Sequence, residues 1–213
     1  MTHYSGIILT GGASRRMGTD KALLELGGRP VIARLAGELS QLAECTVIAS
    51  GPRQRREYSS LGLLQVTDVY PGCGPLAGLH AALSHTQHDW NLVAACDLPF
   101  ASAEFLRYML TAHAEAHMGS GNPGQPGGAD VAVAVSREGR VQPLLGLYHK
   151  RVLPVLEAAL DAGNYRFMDC LNKLDDVLYV QESGFTPAVP AAPSPVFNMN
   201  TPEDYAAATA MVL

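Results

Sequence analysis

Gly6-Ile7-Ile8-Leu9-Thr10 is a short run rich in β-branched side chains, free of charge, and ended by Gly11-Gly12. A run of this length between glycines reads as a strand buried on both faces. Residues 46–49, 64–67 and 91–95 repeat the pattern. Helical stripes lie between and after them. Pro30 precedes Val31, Ile32, Leu35, Ala36, Leu39 and Leu42, and Pro75 precedes Leu76, Leu79, Ala82 and Leu83. Ser102 caps a stripe of Phe105, Leu106, Met109, Leu110 and His113. Short buried strands alternating with amphipathic helices predict βαβ units: an α/β fold with a mostly parallel sheet and helices on both faces. Ligands of such sheets bind beyond the carboxyl ends of the strands.

Beyond residue 118 the order loosens. Residues 119–128 hold five glycines and two prolines in ten positions and read as a mobile surface loop. Strands are predicted over 130–136 and 143–148 with a turn at Glu138-Gly139-Arg140, then a helix over 152–160 with Gly163 as its C′ residue. Residues 187–195 carry four prolines and form an extended connection. Residues 197–200 read as a short strand leading to the Thr201-Pro202-Glu203-Asp204 cap of a last helix. The part after the loop continues the same sheet, so the 213 residues are expected to form a single domain.

Composition narrows the function. Hydrophobic residues make up 47% and charged residues 16%, against about 25% charged in an average domain, which excludes a disordered chain. The formal charge is −5, so neither nucleic acid nor an anionic membrane is an expected partner; a small anion held by a few placed cations fits better. Cys45, Cys73, Cys96 and Cys170 form no CxxC pair and read as reduced thiols. With no basic leader, and no stretch near the roughly 20 apolar residues of a membrane helix, the expected location is the cytoplasm.

Four stretches can carry chemistry. In residues 9–21, LTGGASRRMGTDK, a glycine-rich loop leaves a buried strand with Arg15, Arg16 and Lys21 close by. Exposed backbone N–H groups and three cations suit phosphate oxygens. The spacing matches neither a Walker A loop nor GxGxxG. The second stretch, Cys96-Asp97-Leu98-Pro99, puts a carboxylate at the end of a buried strand. Beside a triphosphate such a carboxylate needs a divalent cation between them, and Mg²⁺ typically takes one or two carboxylates plus phosphate oxygens. The ordinary alternative is an aspartate capping the next turn. Third, Asp68 precedes Pro71-Gly72-Cys73-Gly74-Pro75-Leu76-Ala77-Gly78, a tight turn that lets a planar base approach the backbone. In the fourth, Asn198 and Asn200 alternate with Phe197 and Met199, which turns both amides to one side. His113 and His117 have a metal-binding spacing without a fixed third ligand, and the run Arg53, Arg55, Arg56 reads as a solvated loop.

In this order and spacing the four stretches, with Gln142-Pro143 and Tyr148, resemble the molybdenum cofactor guanylyltransferase family over nearly the whole chain. The resemblance implies a Rossmann-like sheet of the nucleotide-diphospho-sugar transferase type. It implies transfer of GMP from GTP to the terminal phosphate of molybdopterin, with pyrophosphate released. Arg16, Lys21 and Asp97 would be catalytic, Asp97 would hold Mg²⁺, and Asn198 and Asn200 would face the pterin. The nucleotide would touch Leu9, Thr10, Gly11, Gly12, Lys21, Ser50, Asp68, Gly74, Pro75, Leu76 and Asp97. Molybdoenzyme apoproteins or their chaperones would receive the product. The chain departs from the family at Thr10, where alanine is usual, and at Ser50, where asparagine is common and a hydroxyl has a shorter reach. The alternatives are a related cytidylyltransferase or sugar-nucleotide pyrophosphorylase, and a non-catalytic molybdopterin carrier. GPLAG and CDLP argue against the first pair; Arg16, Lys21 and Asp97 together argue against the carrier.

Overall fold

The computed structural model describes residues 2–10, 20–119 and 129–212. The strands are β1 (Tyr4–Leu9), β2 (Glu25–Leu26), β3 (Arg29–Pro30), β4 (Cys45–Ala49), β5 (Leu64–Val66), β6 (Trp90–Ala95), β7 (Val131–Val135), β8 (Val141–His149) and β9 (Val177–Gln181). The helices are α1 (Val31–Leu39), α2 (Pro75–His85), α3 (Ala103–Gly119), α4 (Leu153–Asp161), α5 (Phe167–Leu171) and α6 (Pro202–Ala210). Seven strands form one sheet in the order β5-β4-β1-β6-β8-β7-β9, and β2 with β3 makes a separate hairpin. Strands β5, β4, β1 and β6 are mutually parallel, β7 and β9 are parallel, and β8 runs antiparallel to both β6 and β7.

The period of two along each strand sorts the core into two layers. Ile8, Ile48, Leu92 and Ala132 pack with α1, α3 and Ala208 of α6, whereas Ile7, Val47, Val93 and Val133 pack with α2, α4 and α5. Helices thus cover both faces, which is why strands such as β1 and β6 carry apolar side chains at successive positions. From β1 the chain runs outward to β4 and β5, then returns through α2 to β6 on the other side of β1. That reversal opens a crevice past the carboxyl ends of β1 and β6.

The second half departs in detail from its sequence pattern. Residues 197–200 are not a strand: Phe197 N donates to Ser194 O (3.1 Å) and Met199 N to Asp97 O (2.7 Å), so the segment pairs with a loop rather than with a ladder. The edge strand β9 and the hairpin of β2 and β3 lack a strong apolar alternation and were not expected. The loop expected at 119–128 lies outside the described residues apart from Gly119, which ends α3.

Strand β8 carries a bulge. Gly146 pairs with Val133, yet Gln142 pairs with Ala134, so the intervening β8 residues are extra. Pro143, which has no N–H for a ladder, sits in this bulge, and the Tyr148 hydroxyl closes it by donating to Pro143 O at 2.5 Å. Glycine at 146 is forced by the close backbone: a Cβ there would lie 2.2 Å from Ala132 O. Gly146→Ala is expected to cost about 2–3 kcal/mol by overpacking. A thermal melt should show Tm lower by about 5–10 °C in a domain of this size.

Candidate functional site

The ends of β1, β4, β5 and β6 meet at one rim because these strands are parallel neighbours. Leu9 ends β1 and its carbonyl accepts from Cys96 N at 2.9 Å, which sets Cys96 and Asp97 beside the end of β1. Ser50 N donates to Val66 O (2.9 Å) and Asp68 N to Gly51 O (2.8 Å), so the residues after β4 and β5 continue the same rim. Helix α2 starts there, with Gly74 as its N-cap at φ +72°, Pro75 in its first turn and Leu76 buried. The N-cap needs this left-handed backbone, which glycine alone enters readily.

Among the described residues, three side-chain oxygens at this rim are buried without a hydrogen-bond partner: Asp68 Oδ1, Asp97 Oδ1 and Asn198 Oδ1. Leaving a buried acceptor unpaired costs about 1–3 kcal/mol, more when it is charged. Three such atoms in one crevice are what a polar ligand would satisfy. Burial pushes the Asp97 carboxyl above its ordinary range, with Lys21 acting in the opposite sense. Burial alone raises Asp68.

Lys21 supplies the cation. Burial lowers its ammonium from the usual range, opposed by Asp97 and then Asp204. Its Nζ donates to Asn200 Oδ1 at 2.8 Å. The position of Asn200 comes from α6, where Thr201 and Asp204 form a capping box and Asp204 Oδ2 also accepts from Asn200 N at 2.8 Å. The sequence showed the box; that it would anchor a residue of the site depended on the fold bringing α6 beside Lys21.

Other expected contacts look different in three dimensions. The Thr10 hydroxyl donates to Ala49 O (2.9 Å) and the Ser50 hydroxyl to Val66 O (3.2 Å), so each spends its one proton on the backbone. Gly11, Gly12, Arg15 and Arg16 lie outside the described residues. Arg55 is not simply solvated: its Nη2 lies 3.3 Å from Asp20 Oδ2, which also accepts from the Tyr58 hydroxyl at 2.6 Å. Nothing in the sequence flagged this trio, because Tyr58 looks like any core aromatic. His113 Nε2 faces Ala129 O at 2.8 Å, and its ring packs on the edge of Trp90. Among the described residues no three His, Cys, Asp or Glu side chains gather to hold a metal ion, so a cation here would depend on oxygens brought by the ligand.

Asn198 also borders a cavity of about 700 Å³ between Phe100, Gln142, Arg34 and Arg140. Phe100 and Phe197, with ring centres 5.6 Å apart, also line it. Among the described residues no helix is long and apolar enough to cross a membrane.

Comparison with known proteins gives this geometry a context. Residues 6–177 match the MobA-like NTP transferase domain. A protein of Pelotomaculum thermopropionicum named "Probable molybdenum cofactor guanylyltransferase" is 38% identical over 99% of this chain and 94% of its own length. One of the same name from Bacillus subtilis is 34% identical over 96% of this chain and 94% of its own. The crystal structure of molybdopterin-guanine dinucleotide biosynthesis protein A from Archaeoglobus fulgidus superposes with a TM-score of 0.75 at 26% identity, covering 97% of both chains. A 2-C-methyl-D-erythritol 4-phosphate cytidylyltransferase from Thermus thermophilus shares the fold, with a TM-score of 0.66 at 16% identity over 100% of this chain and 99% of that one. The family model covers most of the chain and relatives match it nearly end to end: the chain belongs to the molybdenum cofactor guanylyltransferase family of nucleotidyltransferases.

Proposed function

We propose that this chain transfers GMP from GTP to the terminal phosphate of molybdopterin. An oxygen of that phosphate attacks the α-phosphorus, the bond from the α-phosphorus to the bridging oxygen breaks, and pyrophosphate leaves with the electron pair. The observation that carries the reading is the convergence of unpartnered Asp68, Asp97 and Asn198 oxygens with the Lys21 amine on one rim.

A phosphate monoester is nucleophilic at neutral pH, so the chain needs no activated serine or cysteine; positioning and charge stabilisation supply the rate. Lys21 neutralises charge that grows on the departing pyrophosphate, and Arg16 is assigned the same work from its motif. Asp68 orients the nucleotide at the end of β5. Asp97, whose Oδ1 is buried and unpaired among the described residues, would hold Mg²⁺, which would supply charge neutralisation on the triphosphate. Asn198 and the adjoining cavity take the pterin side, with Gln142 and Arg140 offering polar contacts along its walls. Asn200, engaged by Lys21, links the two halves of the site. The location that fits these substrates is the cytoplasm, with molybdoenzyme apoproteins or their chaperones as recipients of the product.

Asp97→Asn tests the assignment. The amide keeps the shape and removes a buried charge, so the melt should stay at or above the wild-type Tm. Pyrophosphate release from GTP with molybdopterin present should fall below about a tenth of wild type, because the lost charge stabilisation is worth several kcal/mol. A variant with full turnover would remove Asp97 from the chemistry.

GTP should be preferred over CTP. A site built to hydrogen-bond a purine edge leaves its own groups unpaired when a pyrimidine enters. Since Ser50 spends its proton on Val66 O, the preference rests on the rim backbone and Asp68. Steady-state kcat/KM for both nucleotides at saturating molybdopterin decides it; a CTP value equal to that for GTP would overturn the guanylyl assignment.

A further inference from the structure

Asp20 stands immediately before Lys21, and a free carboxylate there would do harm twice over. It would compete for the lysine amine, and it would repel a triphosphate approaching the same rim. The structure shows it turned away. Its Oδ1 caps the 3-10 turn Lys21–Leu23 by accepting from Ala22 N at 3.1 Å. Its Oδ2 accepts from the Tyr58 hydroxyl at 2.6 Å and pairs with Arg55 Nη2 at 3.3 Å. Both oxygens are therefore occupied by groups other than Lys21, whose amine is delivered instead to Asn200.

The two donors stand on a firm base. Tyr58 belongs to the 3-10 segment Arg56–Leu61 between β4 and β5. Its ring is fully buried in the core layer that also contains Ala22 and Leu26. The Arg55 guanidinium lies 5.9 Å from the centre of the Tyr58 ring, so the pair forms one unit. Gln65 fixes the backbone of that unit on both sides, its Oε1 accepting from Arg55 N at 2.8 Å and its Nε2 donating to Arg55 O at 3.0 Å. The phenol is held well above its ordinary range by burial and by Asp20, so it remains a donor.

We propose that Tyr58 and Arg55 are positioning residues that act through Asp20 to keep the Lys21 amine available to the nucleotide phosphates. The inference rests on the reading of Lys21 given above. It extends that reading to a segment no glycine-loop motif contains: the β4–β5 connection becomes part of the phosphate-handling apparatus without touching phosphate.

The experiment compares GMP transfer by Tyr58→Phe, Arg55→Gln and Lys21→Ala, alone and with each of the first two combined with the third. Residual rates are followed in single turnovers with enzyme in excess. Lys21→Ala should lower the rate about a hundredfold. Tyr58→Phe and Arg55→Gln should each lower kcat about tenfold, as a displaced charge does, with KM for GTP within about twofold of wild type. In the Lys21→Ala background both should have almost no further effect, the non-additivity expected of residues acting through one another. If Tyr58→Phe fails to fold, Arg55→Gln decides alone, since that side chain is partly exposed. Full kcat in the single variants, with Lys21→Ala crippled, overturns the inference. So does an undiminished loss in the Lys21→Ala background, which would mark a general structural role. Wild-type activity in Lys21→Ala would instead overturn the reading of Lys21 itself.

Discussion

The hydrogen bond from Met199 N to Asp97 O, 2.7 Å long, is the contact on which the site's assembly turns. It joins the end of β6 to a segment that is neither helix nor strand. It acts with the Ala188 N–H donated to Glu104 Oε1, the Ser194 hydroxyl donated to Glu182 Oε1 and the buried Val196 to hold the proline-rich stretch before α6 against the sheet. With it, Met199 is driven fully into the core layer between the sheet and α1, α3 and α6. Its neighbours are then fixed by chain geometry: Asn198 at the cavity edge and Asn200 within reach of Lys21. The capping box of α6 completes the arrangement from the other side, so one residue pair serves both as helix cap and as anchor.

Buried polar atoms are nearly always paired, yet among the described residues Asp68, Asp97 and Asn198 each keep an oxygen unpaired on one rim. The layers on either side of the sheet, by contrast, are filled by fully buried Ile, Leu and Val side chains. Ligand oxygens, amides or a cation would supply what these atoms lack. In the proposed reaction, contacts to these atoms are where binding free energy can be used for orientation.

Much of this was legible because it rests on local rules. The glycine-bounded strand β1, the Pro75 start of α2, the Ser102 and Thr201 caps and the rim position of Asp97 follow from period, turn chemistry and strand direction. What escaped depends on contacts between distant segments. The segment 197–200 has a strand-like alternation, but each of its apolar residues finds a loop or a helix to pack on, with no ladder partner nearby. Strand β9 alternates weakly because it is an edge, with Tyr179 exposed. The sequence did not show that the Ser50 and Thr10 hydroxyls donate to the neighbouring carbonyls of Val66 and Ala49. Arg55 belongs to a basic run that looks solvated, and only the fold supplies Asp20 as its partner.

Cys96 shows how the charges of the site are kept apart. It is fully buried, and its thiol is pushed well above the usual range by burial, by Asp97 and by Asp20. Both carboxylates therefore influence it, and it stays neutral between them. An acid at that point would add a negative charge beside Asp97 and Asp20; a base would pair with Asp97. A small, uncharged, polarisable side chain avoids both outcomes and still packs against the Tyr58 layer. The reaction proposed here asks for no thiolate, because its nucleophile arrives with the substrate. The cysteine of the CDLP stretch is accordingly a neutral neighbour of two carboxylates, Asp97 beside it and Asp20 held by Tyr58 and Arg55.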